Sequence, residues 1–180
     1  MSPSLTSRLL YAGCLCVVAL FGSSAGSPAA DAGTSVIRAA YAVYFSHGFT
    51  KQDVAAYKPY FQPDLYALAV FWSKIPPLPG KSGYACTFDS DVFSNAQNGT
   101  PVAPVKIGAP TKTGAATLYP VAITLKFTKG TLQSHVVITV VQQNGRSLIS
   151  DLTPVIDGIR YPGSSLRANL TAFKGRPACR

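Results

Sequence analysis

Glutamate is absent from this 180-residue chain, histidine occurs twice, and the acidic residues are seven aspartates at positions 31, 53, 64, 89, 91, 151 and 157. Acid–base chemistry therefore has few groups to draw on, and spacing alone composes no Ser-His-Asp or Cys-His nucleophile. There is no C-x-x-C pair and no Cys/His cluster. A zinc or dithiol centre is left without ligands, so no metal site and no cofactor are expected. No internal repeat or long low-complexity tract divides the chain, which fits one domain around one core. Its longest apolar run, Leu9 to Phe21, falls short of the roughly 20 residues that a helix needs to cross a bilayer core.

That run follows Arg8 and is followed by the small residues Gly22-Ser23-Ser24-Ala25-Gly26. This is the layout of a secretory leader. Cleavage is expected after Ala25, with Ala30-Asp31-Ala32 as a second site, and the product would be periplasmic or secreted. The reading is then a signal peptide over 1–25, a flexible N-terminus over 26–33, a single domain over 34–175 and a basic tail over 176–180. Tyr11-Ala12-Gly13-Cys14 ends like a lipid-attachment box, but Tyr11 fits it poorly, and a lipoprotein anchored at Cys14 is the minor alternative. Cys14 and Cys16 would leave with the leader. Cys86 and Cys179 remain as a pair in an oxidising compartment, either bridged or as two free thiols. A bridge closing a loop of about 94 residues would stabilise the fold by roughly 4 to 5 kcal/mol in the chain-entropy model.

Sixteen Lys and Arg against seven Asp give a formal net charge of +9. The surplus is scattered, with one concentration at Lys174, Arg176 and Arg180. Weak contact with an anionic surface is compatible with it. Nucleic-acid binding would need cations interleaved with exposed rings on a sheet face, which Lys126 and Lys129 alone do not supply.

Val36, Ile37, Ala40, Tyr41, Tyr44 and Phe45 recur at helical spacing between Thr34, placed to cap, and Gly48, placed to stop. Thr50-Lys51-Gln52-Asp53 reads as a capping box for a short second helix ended by Pro59. Pro63 and Asp64 open a third, with Leu65, Leu68, Ala69 and Trp72 on its apolar face. Pro76-Pro77-Leu78-Pro79-Gly80 then begins an irregular stretch to about Thr100. The period changes to two over Val121 to Phe127, and Val136 to Val141 is apolar on both faces. Asn144-Gly145 predicts a hairpin into Leu148–Leu152, and Val102–Ile107 a further strand. Ser164 is placed to cap a last helix carrying Leu166, Leu170 and Phe173. Helices first and strands second predict an α+β domain with N-terminal helices on one face of a curved antiparallel sheet.

Tyr60 to Leu68, Asp89 to Gln97, Val137 to Gly145 and Ile149-Ser150-Asp151-Leu152, taken in that order, resemble the DUF3828 domain family, exported bacterial proteins of the YbjP/YqhG type. The resemblance spans about Ser35 to Phe173 and implies an NTF2-like or cystatin-like cone. It implies no particular activity. The chain departs from the pattern at Val92, Asn98 and Leu148.

Asp89 and Asp91, one residue apart, are the sharpest polar feature, with Gln97 shortly after. Two such carboxylates can contact a ligand or cation, act as acid and base, or cap turns in a Ser/Asn-rich loop. The rings of Tyr41, Tyr44, Phe45, Tyr57, Tyr60, Phe61, Tyr66, Phe71 and Trp72 either form core or line a cavity in which tyrosine hydroxyls such as Tyr44 orient a ring-bearing ligand. His47 suits a helix C-terminus, His135 the mouth of a strand, and Asp151 an ion pair with Arg146 or Arg160. The leading expectation is a non-enzymatic envelope protein that binds a small ligand or a protein through Asp89, Asp91, Gln97 and Tyr44. A small enzyme using Asp89 or Asp91, and an interaction or immunity-type protein, are the alternatives.

Overall fold

Among the described residues, alternating residues in the second half build a six-stranded antiparallel sheet and three α-helices pack beside it, so the α+β class read from the pattern is the class found. The computed structural model describes residues 31–76, 88 and 90–174. Cys14, Cys16, Cys86, Cys179 and Asp89 lie outside the described residues, as does the leader.

Helix α1 spans Ala32–His47. It starts ahead of Thr34 because Asp31 is the cap, its carboxylate accepting the Thr34 N–H at 2.8 Å. The same carboxylate accepts the Tyr119 hydroxyl at 2.7 Å. Asp31, Ala32 and Gly33, expected in a flexible lead-in, are thereby part of the domain. At the other end His47 occupies the last turn and Gly48, at φ 76°, lets the chain leave the helix with its N–H on the Tyr44 carbonyl.

The Thr50–Asp53 box does not cap an α-helix. The two side chains bond each other, and the chain continues into a single 3₁₀ turn, Val54–Tyr57. Helix α2, Pro63–Ser73, begins as expected, with Pro63 in its first turn and Asp64 accepting the Leu65 N–H.

The strands are β1 (Thr100–Ile107), β2 (Thr111–Thr113), β3 (Ala116–Phe127), β4 (Gly130–Gln143), β5 (Arg146–Ile156) and β6 (Ile159–Arg160). Their order across the sheet is β1-β3-β4-β5-β6, with β2 pairing β3. Asn144 and Gly145, both at positive φ, make the β4–β5 turn as predicted. Register shifts between Val102 and Lys106 and between Thr139 and Val140 bend the sheet. On the helix side, Val121, Ile123 and Leu125 of β3, Val136, Ile138 and Val140 of β4, and Ile149 and Leu152 of β5 are buried against Ile37, Tyr41, Leu65 and Trp72.

Strand β6 covers only the end of β5, at Val155 and Ile156. Along the remaining edge the Phe61 segment bonds Ile149 in both directions, Gln62 N–H to its carbonyl and its own N–H to Tyr60, each at 2.8 Å. Helix α3, Leu166–Lys174, closes the structure. Ser164 lies in a preceding 3₁₀ turn, and Ser165 caps instead, accepting the Ala168 N–H. Asp151, expected in an ion pair with Arg146 or Arg160, does neither; it accepts the Arg167 N–H at the start of α3 at 2.9 Å. Arg146 donates to the Pro59 carbonyl.

Candidate functional site

The space between helices and sheet is filled with rings. Phe93, fully buried, contacts Tyr41, Tyr44, Phe49, Tyr57 and Phe61 at centroid distances of 5.0 to 6.4 Å, and lies nearly parallel to Tyr44. Each such pair adds about 0.5–1.5 kcal/mol beyond its area burial. Asp91 is what turns Phe93 inward. Its Oδ1 accepts the Phe93 N–H at 3.0 Å, the Ser94 N–H at 2.8 Å and the Ser94 hydroxyl at 2.9 Å, the geometry of an Asx turn.

Of the four predicted ligand residues, the structure brings two together. The Tyr44 hydroxyl meets Asp91 and Ser94, and burial, followed by the Asp91 charge, holds it protonated well above the usual phenol range. Tyr44 is buried in the ring cluster and does not line the groove that Asp91 borders. Gln97 is exposed and faces a different depression, near the ends of β4 and β5.

Asp91 also borders an open groove of about 720 Å³ between the 50–52 turn, the end of α2, Phe88 and residues 90–92. Phe49 and Trp72 stack at 5.5 Å with their planes 7° apart, and Phe88 tilts onto Trp72 at 5.0 Å. Lys51 leans over this wall. Its ammonium lies 5.7 Å from the Trp72 ring and donates to the Ile75 carbonyl at 2.7 Å. Partial burial pushes the Lys51 amine below its ordinary range. The groove is thus backed by the edges of two largely buried stacked rings, with one held cation and a carboxylate at its border. Planar or apolar rings suit such a wall, and an anionic substituent suits the amine.

Phe49, Lys51 and Phe88 were not legible as a site. Lys51 sits inside a segment that reads as a helix cap, and no spacing joins it to Trp72, twenty-one positions away. Phe49 directly after the Gly48 helix stop is the one local signal, since a bulky ring in a turn must pack against something.

Among the described residues no group of three His, Cys, Asp or Glu side chains stands together, and no helix is long and apolar enough to cross a membrane. No family model, curated protein or solved structure matches the chain.

Proposed function

We propose that this protein is an exported cell-envelope binding module, without catalysis of its own, that takes a small ring-bearing ligand into the groove beside Trp72. The leader-like N-terminus and the DUF3828 resemblance support the envelope part of this reading. The observation that carries the binding part is the Phe49–Trp72 stack with the Lys51 ammonium leaning over it. A ligand ring can pack against the edges of that largely buried stack that reach the groove, and the amine supplies orientation at the cost of little reorganisation, because Ile75 already holds it. Asp91 takes a supporting role in this reading. Its Oδ1 is committed to the turn that buries Phe93, so it meets the groove border as part of that turn.

Native mass spectrometry of the protein purified from its own envelope tests the proposal. A retained small molecule, lost in Lys51→Met while thermal stability is kept, is the expected result. Trp72 is the one tryptophan of the chain, so its emission reports occupancy directly. Retention that is indifferent to Lys51, with Trp72 emission unmoved, would overturn it.

A further inference from the structure

We propose that the end of the sheet remote from the β4–β5 turn docks on an anionic lipid bilayer. The helix-side rows of the sheet do not stop where the helices stop. On β3 the buried row Val121, Ile123, Leu125 continues to Phe127, which is 38% exposed. On β4 the row Ile138, Val136, Ser134 continues to Leu132, 59% exposed, directly across from Leu125. On β5 it continues past Leu152 to Ile156, 47% exposed, whose partner Ile159 on β6 is 59% exposed. Four large apolar side chains therefore share one end of the sheet, on the tips of two neighbouring hairpins. Single exposed apolar residues are ordinary, whereas a contiguous group marks a contact surface.

The charges around them choose the partner. Lys129 lies in the turn of the first tip and Asp157 in that of the second, while Lys126 and Arg160 flank the two tips from the opposite sheet face, all exposed. A second copy of a chain with net charge +9 would bring these cations against themselves, which costs free energy in a self-complementary contact. An anionic bilayer accepts both features at once: apolar tips enter the headgroup boundary while the basic rim stays at phosphate level. Tyr161, 40% exposed beside the second tip, is a residue type favoured at that depth.

Vesicles of dibrominated phosphatidylglycerol test this with the full chain carrying Leu132→Trp, against vesicles of brominated phosphatidylcholine. The expected result is quenching of the new tryptophan on the anionic vesicles only. Lys126→Gln/Lys129→Gln/Arg160→Gln should weaken that binding about 100-fold, and Leu132→Ser/Ile159→Ser should weaken it comparably, with circular dichroism unchanged in both. Membrane association through the apolar Leu9–Phe21 run would leave position 132 unquenched and overturn the proposal. So would equal quenching on phosphatidylcholine, or a sedimentation dimer that the Leu132→Ser/Ile159→Ser variant dissolves.

Discussion

Arg167, in the first turn of α3, grips Asp64, in the first turn of α2, with two guanidinium nitrogens, at 2.8 and 3.3 Å. The same side chain donates to the Ser150 carbonyl from Nε and Nη2, at 3.0 and 2.8 Å, and to Gln62 at 3.3 Å. Ser150 lies on the stretch of β5 beyond the reach of β6, so Arg167 fills a place that a neighbouring strand would otherwise take. Two helices and a sheet edge meet on one planar, five-donor group, a role that lysine cannot fill. The hydrogen bond from Arg167 also holds the Asp64 carboxyl below its usual range.

The two partners should differ in their cost. Asp64 is 60% exposed, so its ion pair is screened by water, and Asp64→Asn is expected to lose less than about 1 kcal/mol. Arg167→Ala strips the Ser150 carbonyl as well, and is expected to lose about 2 kcal/mol. Urea unfolding of the two variants checks the order. Equal losses would mean that the ion pair, and not the strand edge, is what Arg167 serves.

Alkali should unfold the protein through its tyrosines. Burial raises Tyr41, Tyr44 and Tyr57 above the usual phenol range, and Tyr119 is pushed up to about 12 by burial and by its hydrogen bond to Asp31. The folded state therefore holds protons that the unfolded chain releases near pH 10. Stability is complete below about pH 10 and declines as pH rises toward the folded values. Tyrosinate absorbance from these four should consequently appear only together with loss of ellipticity. Titration of these four near pH 10 with the fold intact would refute the buried assignments.

Gly33 should be intolerant of any side chain. A Cβ there would lie 2.0 Å from the Tyr119 hydroxyl oxygen and 2.4 Å from the ring carbon that carries it, so the ring must move and release Asp31. Gly33→Ala is expected to cost about 1–3 kcal/mol, the range for overpacking, despite alanine's better helix propensity. Tyr119→Leu should cost less in the Gly33→Ala background than in the parent, and a double-mutant cycle on melting temperature measures that coupling.

The fold was legible wherever local pattern and tertiary environment agree. Val121 to Phe127 alternates because one side of β3 faces the helices, and Asn144-Gly145 turns because both residues accept positive φ. Legibility failed where the partner is remote in sequence. Asp31 is a cap strengthened by Tyr119, 88 positions on, whereas Thr34 satisfies the local cap rule equally well. Asp151 has Arg146 nearby, yet its partner is a backbone N–H at the start of α3. The site followed the same division. Asp91 stood out by its spacing, but the Phe49–Trp72 wall and the Lys51 above it come together only when the turn after α1 folds against the end of α2.

Two substitutions at Asp91 separate its structural task from its charge. Asparagine keeps an oxygen in the Oδ1 position, so the Phe93 and Ser94 donors stay satisfied and the turn that buries Phe93 should survive. Alanine removes the acceptor for three donors and frees Phe93 from the ring cluster, with an expected loss of about 3 kcal/mol. Both variants remove the negative charge beside the groove. If that charge takes part in binding, Asp91→Asn changes ligand retention while its melting temperature stays near the parent value. If Asp91 serves the turn alone, Asp91→Asn retains ligand like the parent and only Asp91→Ala fails, through unfolding. Melting curves paired with Trp72 emission on the same samples distinguish the two, because one reads the Phe93 cluster and the other the groove wall.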